Sequence, residues 1–213
     1  MSEEHSRRPN TGRLRGDGSE TKARVMDVGE AMLAEEGYRG VSLEEIARRV
    51  GVSKPALYYH FPEGKEQLFV EIAHRALRQH REGLEREMAS AEDGAGRLRA
   101  AARWLMGQNE VGNPTNELRD VARFVHERHR ASLAEGFYGA LYGPIRRAIA
   151  AAIDSGEFRR NDPDFLTWAF LGLASSMLDV ARTPAESPVP RPSLSSSEMA
   201  DQMVKLFVEG VAA

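Results

Sequence analysis

Cysteine is absent from the 213 residues of the chain, which excludes disulfides, thiolate nucleophiles and zinc or iron–sulfur sites with cysteine ligands. The absence is compatible with a reducing cytosol, and we expect a cytoplasmic protein. A basic excess is lacking too, because 29 Lys+Arg stand against 32 Asp+Glu and the formal net charge is −3. A contact with nucleic acid would therefore depend on positive charge concentrated in one region.

Long apolar runs are scarce as well. The longest nearly apolar stretch, residues 168–178, is shorter than the roughly 20 residues of a bilayer-spanning helix. Residues 1–18 are polar and basic, without the apolar centre of a secretory signal. We therefore expect no membrane partner.

Strand patterns are also missing, because no segment shows sustained alternation of β-branched residues. Apolar residues instead recur at helical spacing, and we predict an all-α fold. The predicted helices cover residues 21–36, 42–50, 54–61, 65–88, 97–109, 115–130, 132–155, 164–182 and 198–211. Residues 1–20, with four arginines, are predicted to be a flexible basic arm, and the proline-rich segment 183–197 an extended loop.

The most informative segment is 42–61. Ser42, with Glu45 three residues later, predicts a capping box at the start of a short amphipathic helix. Residues 51–53 supply a glycine-containing turn, and Pro55 fits the first turn of a second short helix. Two short helices joined by such a turn form a helix-turn-helix.

One face of the second helix is free of core residues and suits duplex DNA. It offers a cation and phenolic hydroxyls for phosphates, and a small residue that permits close approach. Lys65 lies at the start of the next helix, where free N–H groups favour an anion. The candidate DNA-binding residues are Ser42, Ser53, Lys54, Pro55, Ala56, Tyr58, Tyr59, His60 and Lys65.

These residues resemble the N-terminal domain of TetR-family transcriptional repressors over about residues 21–77. The resemblance is carried by Gly37-Tyr38, Ile46-Ala47, Gly51-Val52-Ser53-Lys54, Ala56-Leu57-Tyr58-Tyr59-His60-Phe61 and Lys65-Glu66. It implies a DNA-binding domain over residues 21–64 and a ligand-sensing and dimerisation domain over 65–213. It also implies a homodimer on double-stranded operator DNA, held through the last two helices and released by a small-molecule effector.

Aromatic residues in the C-terminal part are candidates for lining the effector site, which we expect to be mostly apolar. They are Trp104, Phe124, Tyr138, Tyr142 and Trp168. The predicted dimer face comprises Leu171, Ala174, Ser175, Leu178, Leu206 and Phe207. His126 and His129 have a spacing that could ligate a metal, but a solvated helix face is favoured. We expect neither a metal nor a cofactor.

Two alternatives to a ligand-released repressor remain open. In one, the helix-turn-helix is purely structural, within a small helical enzyme or a carrier of an apolar ligand. In the other, the regulator activates or needs no ligand. No Gly-x-Ser-x-Gly elbow is present, and the glycines at 136, 139 and 143 follow no predicted strand. We therefore predict a protein that is not an enzyme.

Overall fold

The computed structural model describes residues 18–107, 121–181, 183, 187, 188 and 190–212. The helices are α1 (Gly18–Gly40), α2 (Leu43–Val50), α3 (Lys54–His60), α4 (Lys65–Ala89), α5 (Gly94–Gly107), α6 (Glu127–Phe137), α7 (Gly143–Asp154), α8 (Pro163–Ala181) and α9 (Ser196–Val211), with a π-turn at Tyr138–Tyr142. Within these ranges there is no strand, and an isolated bridge pairs Phe158 with Ala212. The all-α prediction is confirmed. Residues 1–17 of the predicted arm lie outside the described residues, whereas residues 18–20 begin α1.

The N-terminal hydrophobic cluster joins α1, α2 and α3 to the first half of α4. Ile46 from α2 and Leu57 from α3 are buried against Phe69 of α4. Gly29 allows α1 to approach α4 closely, since a Cβ there would lie 3.1 Å from Ile72 Cδ1. The helix-turn-helix is therefore held on a packed support.

A second hydrophobic cluster fills the C-terminal part. It joins the second half of α4 to α5, the π-turn, α7, α8 and α9. Leu77 and Leu84 of α4 belong to it, whereas Leu68 and Phe69 belong to the N-terminal cluster. One continuous helix of 25 residues thus contributes to both clusters.

The cap predicted at the start of α2 is present in part, and a complete capping box occurs at the start of α9. Ser42 caps α2 by accepting the Glu45 N–H at 3.1 Å, but the Glu45 carboxylate binds Arg48 instead of closing the predicted capping box. A complete capping box occurs at α9, where Ser195 and Glu198 exchange hydrogen bonds. This box starts α9 at Ser196, two residues before the predicted start.

The boundary predicted between the helices 115–130 and 132–155 is wrong. Residues 108–120 lie outside the described residues, and the helix that includes Val121 ends before His126. A new helical rod then runs from Glu127 through the π-turn to Asp154. Pro144 follows the π-turn and lies in the first turn of α7, where its missing N–H is tolerated.

α8 has apolar residues on two faces. Leu171, Ala174 and Leu178, which were predicted for the dimer contact, are buried in the chain's own core, as is Phe207 of α9. The dimer face predicted on these residues is therefore wrong. The large apolar side chains exposed on α8 and α9 are Phe165, Trp168, Leu173 and Leu206.

The length and composition of α8 are sufficient for a membrane crossing, with 33% of its apolar window buried. The apolar run 168–178 seen in the sequence is shorter than this helix, because Pro163 and Asp164 extend the helix at its start. The exposed apolar side of α8 can be buried only by contact with another molecule.

His80 is a polar residue inside the C-terminal cluster. It is 2% exposed, and burial lowers its pKa to about 4. The imidazole is therefore neutral in the folded protein at neutral pH, while in the unfolded chain it binds a proton near its ordinary pKa of about 6.5. Above about pH 6.5 the imidazole is neutral in both states and does not reduce the free energy of unfolding. As the pH falls from about 6.5 toward 4, the unfolded chain binds a proton that the folded protein does not, so the free energy of unfolding decreases.

We expect lowering the pH from 7 to 5 to cost about 2 kcal/mol of unfolding free energy through His80 alone. Urea unfolding at the two pH values measures this difference. The drop should be smaller by that amount in His80→Leu, and it should be unchanged in Gln79→Leu, which alters an exposed neighbour on α4. An equal drop in His80→Leu and the parent would contradict the assignment.

Candidate DNA interface and its connection to the C-terminal helices

Local chain geometry sets the angle between α2 and α3. Gly51 ends α2 at φ 77°, in the left-handed region that glycine occupies without strain, and its N–H bonds back to Ala47 and Arg48. Ser53 then caps α3 by accepting the Ala56 N–H at 3.3 Å. Leu57 is buried on the inner side of α3, so its opposite side faces solvent.

The predicted recognition residues of α3 do share this outer surface. Tyr59 is 82% exposed and Tyr58 is 39% exposed. Lys54 and Pro55 are exposed, whereas Ala56 and His60 are partly covered. The structure therefore presents a cation, two phenols, an imidazole and a small residue on one short helix.

Lys54 is paired with an acidic residue on the same surface. Its Nζ lies 2.5 Å from Glu44 Oε1 of α2, and both side chains are exposed. The hydrogen bond raises the pKa of Lys54 and lowers the pKa of Glu44. A phosphate that binds Lys54 must therefore replace Glu44 as its partner.

Lys65 departs from the predicted phosphate contact because its ammonium group is directed into the protein. Nζ donates to the Val41 carbonyl at 2.6 Å and lies 4.6 Å from the centre of the Tyr38 ring. Burial lowers the pKa of Lys65. The residue links the start of α4 to the segment before α2. Ser42 is exposed, but its hydroxyl serves as the cap of α2.

The start of α1 lies beside the end of α3. A Cβ at Gly18 would be 3.4 Å from His60 Cε1. The preceding residues include Arg7, Arg8, Arg13 and Arg15. α1 thus begins at the edge of the α3 surface.

A polar contact joins the turn after α3 to the start of α6, and we name it the α4–α6 contact. Glu66 Oε1 accepts the His126 N–H at 2.6 Å, and Glu63 pairs with Arg128. His129 Nε2 lies 3.6 Å from a carboxylate oxygen of each glutamate. These residues are partly or fully exposed, so the contact can exchange with water.

Phe124 was predicted to line the effector site, but it packs on the N-terminal helices. Its ring stacks on Tyr38 at 5.2 Å with an interplanar angle of 7°, and the Arg39 guanidinium lies 4.9 Å from its centre. Nearby, His74 Nε2 lies 2.9 Å from Ser132 Oγ. This part of the chain therefore contacts the N-terminal helices rather than the C-terminal core.

Three other predicted lining residues do come together. Tyr142 lies 5.1 Å from Tyr138 and 5.2 Å from Trp168, measured between ring centres. The Tyr142 hydroxyl donates to Asp164, which also accepts from Arg146 at 2.7 Å. These bonds raise the pKa of Tyr142 to about 12 and lower the pKa of Asp164 to about 2. Tyr138 and Trp168 are more than half exposed, so this cluster reaches the surface.

Trp104, the fifth predicted residue, packs against Gly83 of α4 instead. As for metals, the part of the chain that the structure describes holds no group of three His, Cys, Asp or Glu suited to an ion. His126 and His129 take part in the α4–α6 contact.

We expect Glu66→Ala to loosen the start of α6, because the His126 N–H loses its carboxylate acceptor. Hydrogen exchange of residues 126–130 should become about tenfold faster, which corresponds to about 1.4 kcal/mol of local opening free energy. Mass spectrometry of exchanged peptides measures the rate. Glu71→Ala, which removes an α4 glutamate paired with Lys22 at 2.6 Å, is the matched control. Equal exchange of residues 126–130 in both variants would contradict the contact.

Solved structures share this fold over most of the chain. AibR, bound to isovaleryl coenzyme A and operator DNA, has a TM-score of 0.71 at 23% identity, covering 87% of this chain and 97% of that one. A regulator from Saccharomonospora viridis in complex with choline has a TM-score of 0.75 at 19% identity, with 92% and 99% covered. FadR from Bacillus subtilis with stearoyl-CoA has a TM-score of 0.72 at 18% identity, with 88% and 98% covered.

The curated relatives match part of the chain. The transcriptional activator FasR of Mycolicibacterium smegmatis is 32% identical over 98 residues, which are 45% of this chain and 44% of that protein. The regulator LmrA of Bacillus subtilis is 29% identical over 89 residues, 42% and 47% of the two chains. The chain thus spans less than half the length of these relatives. The family model of bacterial regulatory proteins, tetR family, matches residues 25–72, and the chain is similar to that family over this segment.

Proposed function

We propose that the protein is a transcriptional regulator that binds operator DNA as a homodimer and places α3 in the major groove. The observation that carries this proposal is the exposed face of α3, with Tyr59 at its most open position. Aromatic and cationic side chains on a short, capped helix suit contacts to phosphates and base edges. The names of the relatives, which are transcriptional regulators, support the same function.

The basic segment before α1 extends this interface. The sequence before α1 contains four arginines, and we propose that they contact phosphates or the minor groove of the duplex. Local charge of this kind compensates for the negative net charge of the whole chain.

We expect Lys54→Ala to weaken operator binding about tenfold, since a charge-assisted contact to phosphate is lost. The slope of log K against log salt should become shallower by about 0.9, the value for one phosphate contact. Fluorescence anisotropy on the DNA upstream of the protein's own gene measures both quantities. Lys205→Ala, which also removes an exposed lysine near a glutamate, should change neither. Unaltered binding by Lys54→Ala would place the recognition surface elsewhere.

A second copy of the chain is the proposed partner for the apolar side of α8 and α9. A single helix-turn-helix contacts one half-site, and two must lie about 34–36 Å apart on the duplex. Phe165 and Trp168 of α8 and Leu206 of α9 are each more than half exposed. The same patch on two copies would form a self-complementary contact of the kind that twofold dimers use.

We expect Leu206→Glu to shift the protein from dimer to monomer, because each copy would bury a carboxylate without a paired charge in the contact. Light scattering after gel filtration measures the mass. Gln79→Glu introduces the same group at an exposed position of α4 and serves as the control for added charge. A fully dimeric Leu206→Glu protein would show that the patch has another role.

The C-terminal domain, over residues 65–213, is proposed to bind a small and mostly apolar effector that releases the operator. Two neighbours in fold were solved with acyl-coenzyme A molecules, which supports an effector site among the C-terminal helices. α4 and the α4–α6 contact provide the connection to α3. By thermodynamic reciprocity, an effector that weakens operator binding binds the operator complex more weakly by the same factor.

Activation is the second candidate function, because the 32%-identical relative FasR is named an activator. Both candidates require operator binding, and they differ in its effect on transcription. Transcription in vitro from the protein's own promoter, with and without the protein, separates them. Lower transcript levels with the protein support repression, and higher levels support activation.

A further inference from the structure

Two side chains at the C-terminal cluster, one buried and one partly buried, have ring nitrogens without hydrogen-bond partners among the described residues. They are His80, at both Nδ1 and Nε2, and Trp104, at Nε1. His80 is only 2% exposed. Buried polar atoms are almost always satisfied by protein groups, water or a ligand, so these three nitrogens require an explanation.

The two residues meet the same face of α4. His80 precedes Gly83 by three residues, a spacing that places both on one side of a helix. The Trp104 indole covers Gly83 so closely that a Cβ there would lie 1.9 Å from Cζ2 and 2.1 Å from Cε2, the carbon bonded to Nε1. The indole N–H therefore lies near the segment of α4 that carries the imidazole.

Their surroundings are apolar, apart from one cation. Leu77, Leu84, Leu98 and Met106 belong to the same buried cluster. The Arg86 guanidinium lies 5.5 Å from the centre of the Trp104 ring. An uncharged group is thus favoured beside His80, because a buried ion without a paired charge is costly.

The protonation state of His80 defines the available hydrogen bonds. With its pKa lowered by burial, the imidazole offers one N–H donor and one acceptor nitrogen at neutral pH. The Trp104 indole offers a donor only. Two donors on one face of a helix suit a carbonyl oxygen, which accepts two hydrogen bonds.

A groove opens to the surface farther along α4. It has a volume of about 430 Å³, and its lining combines Met88 and Pro144 with the charged residues Glu85, Arg97 and Arg147. Met88 lies eight residues after His80 and is itself a buried member of the C-terminal cluster. Movement of Met88, a flexible side chain, would connect the groove with the apolar cluster around His80.

We propose that His80 and Trp104 form the polar end of a small-molecule site, and that its ligand is an apolar molecule with an uncharged carbonyl oxygen. The oxygen accepts from the imidazole and indole N–H groups, while the hydrocarbon part packs among the surrounding leucines and methionines. This proposal rests on the effector site proposed above, and it adds the anchoring residues and the chemical class of the ligand.

The test compares two probes of equal chain length, 2-nonanone and 1-nonene, binding to the full-length protein. The chain has two tryptophans, so Trp168→Phe leaves Trp104 as the sole indole reporter of binding. We expect the ketone to bind at least tenfold more tightly than the alkene and to change Trp104 emission. Equal affinity of the two probes, or binding of neither, would overturn the proposal.

Variants at His80 establish which residue recognises the oxygen. In His80→Leu the ketone should lose at least tenfold in affinity and the alkene should lose nothing, whereas His80→Gln should restore part of the preference. Thr167→Val, which removes a buried hydroxyl already bonded to the Pro163 carbonyl, is the matched control. An unchanged preference for the ketone in His80→Leu would show that the ring nitrogens bind water or serve packing alone.

Operator binding by the ligand-free protein separates this proposal from the proposed function. A protein that binds operator but shows no ketone preference contradicts the His80–Trp104 site only. A protein that prefers the ketone but binds no operator contradicts the regulatory function and leaves the site supported.

Discussion

Helix α4 buries side chains in both hydrophobic clusters of the protein, and the rest of the structure depends on this shared packing. Its first half buries Leu68 and Phe69 beneath the helix-turn-helix, and its second half buries Leu77 and Leu84 among the C-terminal helices. Each such side chain contributes about 1.5–3 kcal/mol when buried. The two clusters cannot change their relative orientation freely unless α4 bends or one cluster repacks.

The α4–α6 contact contributes less free energy to folding than the buried side chains of α4. Exposed ion pairs contribute about 0–1 kcal/mol, so Glu63 and Arg128 add little to the stability of the fold. Their position matters more, because they join the turn after α3 to the helical rod that continues into the C-terminal cluster. Because this contact is weak and solvent-accessible, it can open while both clusters remain folded.

Local sequence patterns predicted the helix-turn-helix well, because its signals lie within a few residues of one another. Ser42, Gly51 and Ser53 act on their own backbone neighbours, and all three occupy the expected caps or turn. The direction of Lys65 and the packing of Phe124 depend on Tyr38, which is distant in sequence from both. Helical periodicity could not predict those contacts.

Leu171, Ala174, Leu178 and Phe207 were assigned wrongly to the dimer face for a related reason. α8 is apolar around much of its circumference, so periodicity alone does not distinguish the side that packs inward from the side that faces out. The structure resolves this ambiguity by burying Leu171 and exposing Trp168. The sequence could not predict the unpaired ring nitrogens of His80 and Trp104 either. Only the fold shows that these nitrogens have no hydrogen-bond partner among the described residues.

The most direct test of the account is a distance between the helix-turn-helix and the C-terminal helices within one protomer. The chain has no cysteine, so Arg48→Cys on α2 and Arg147→Cys on α7 can carry two spin labels, diluted with unlabelled protein. If α4 and the α4–α6 contact together fix the orientation, the distance distribution is narrow and broadens when Glu63 and Glu66 are both replaced by alanine. A distribution of the same width with and without those two glutamates would contradict the account.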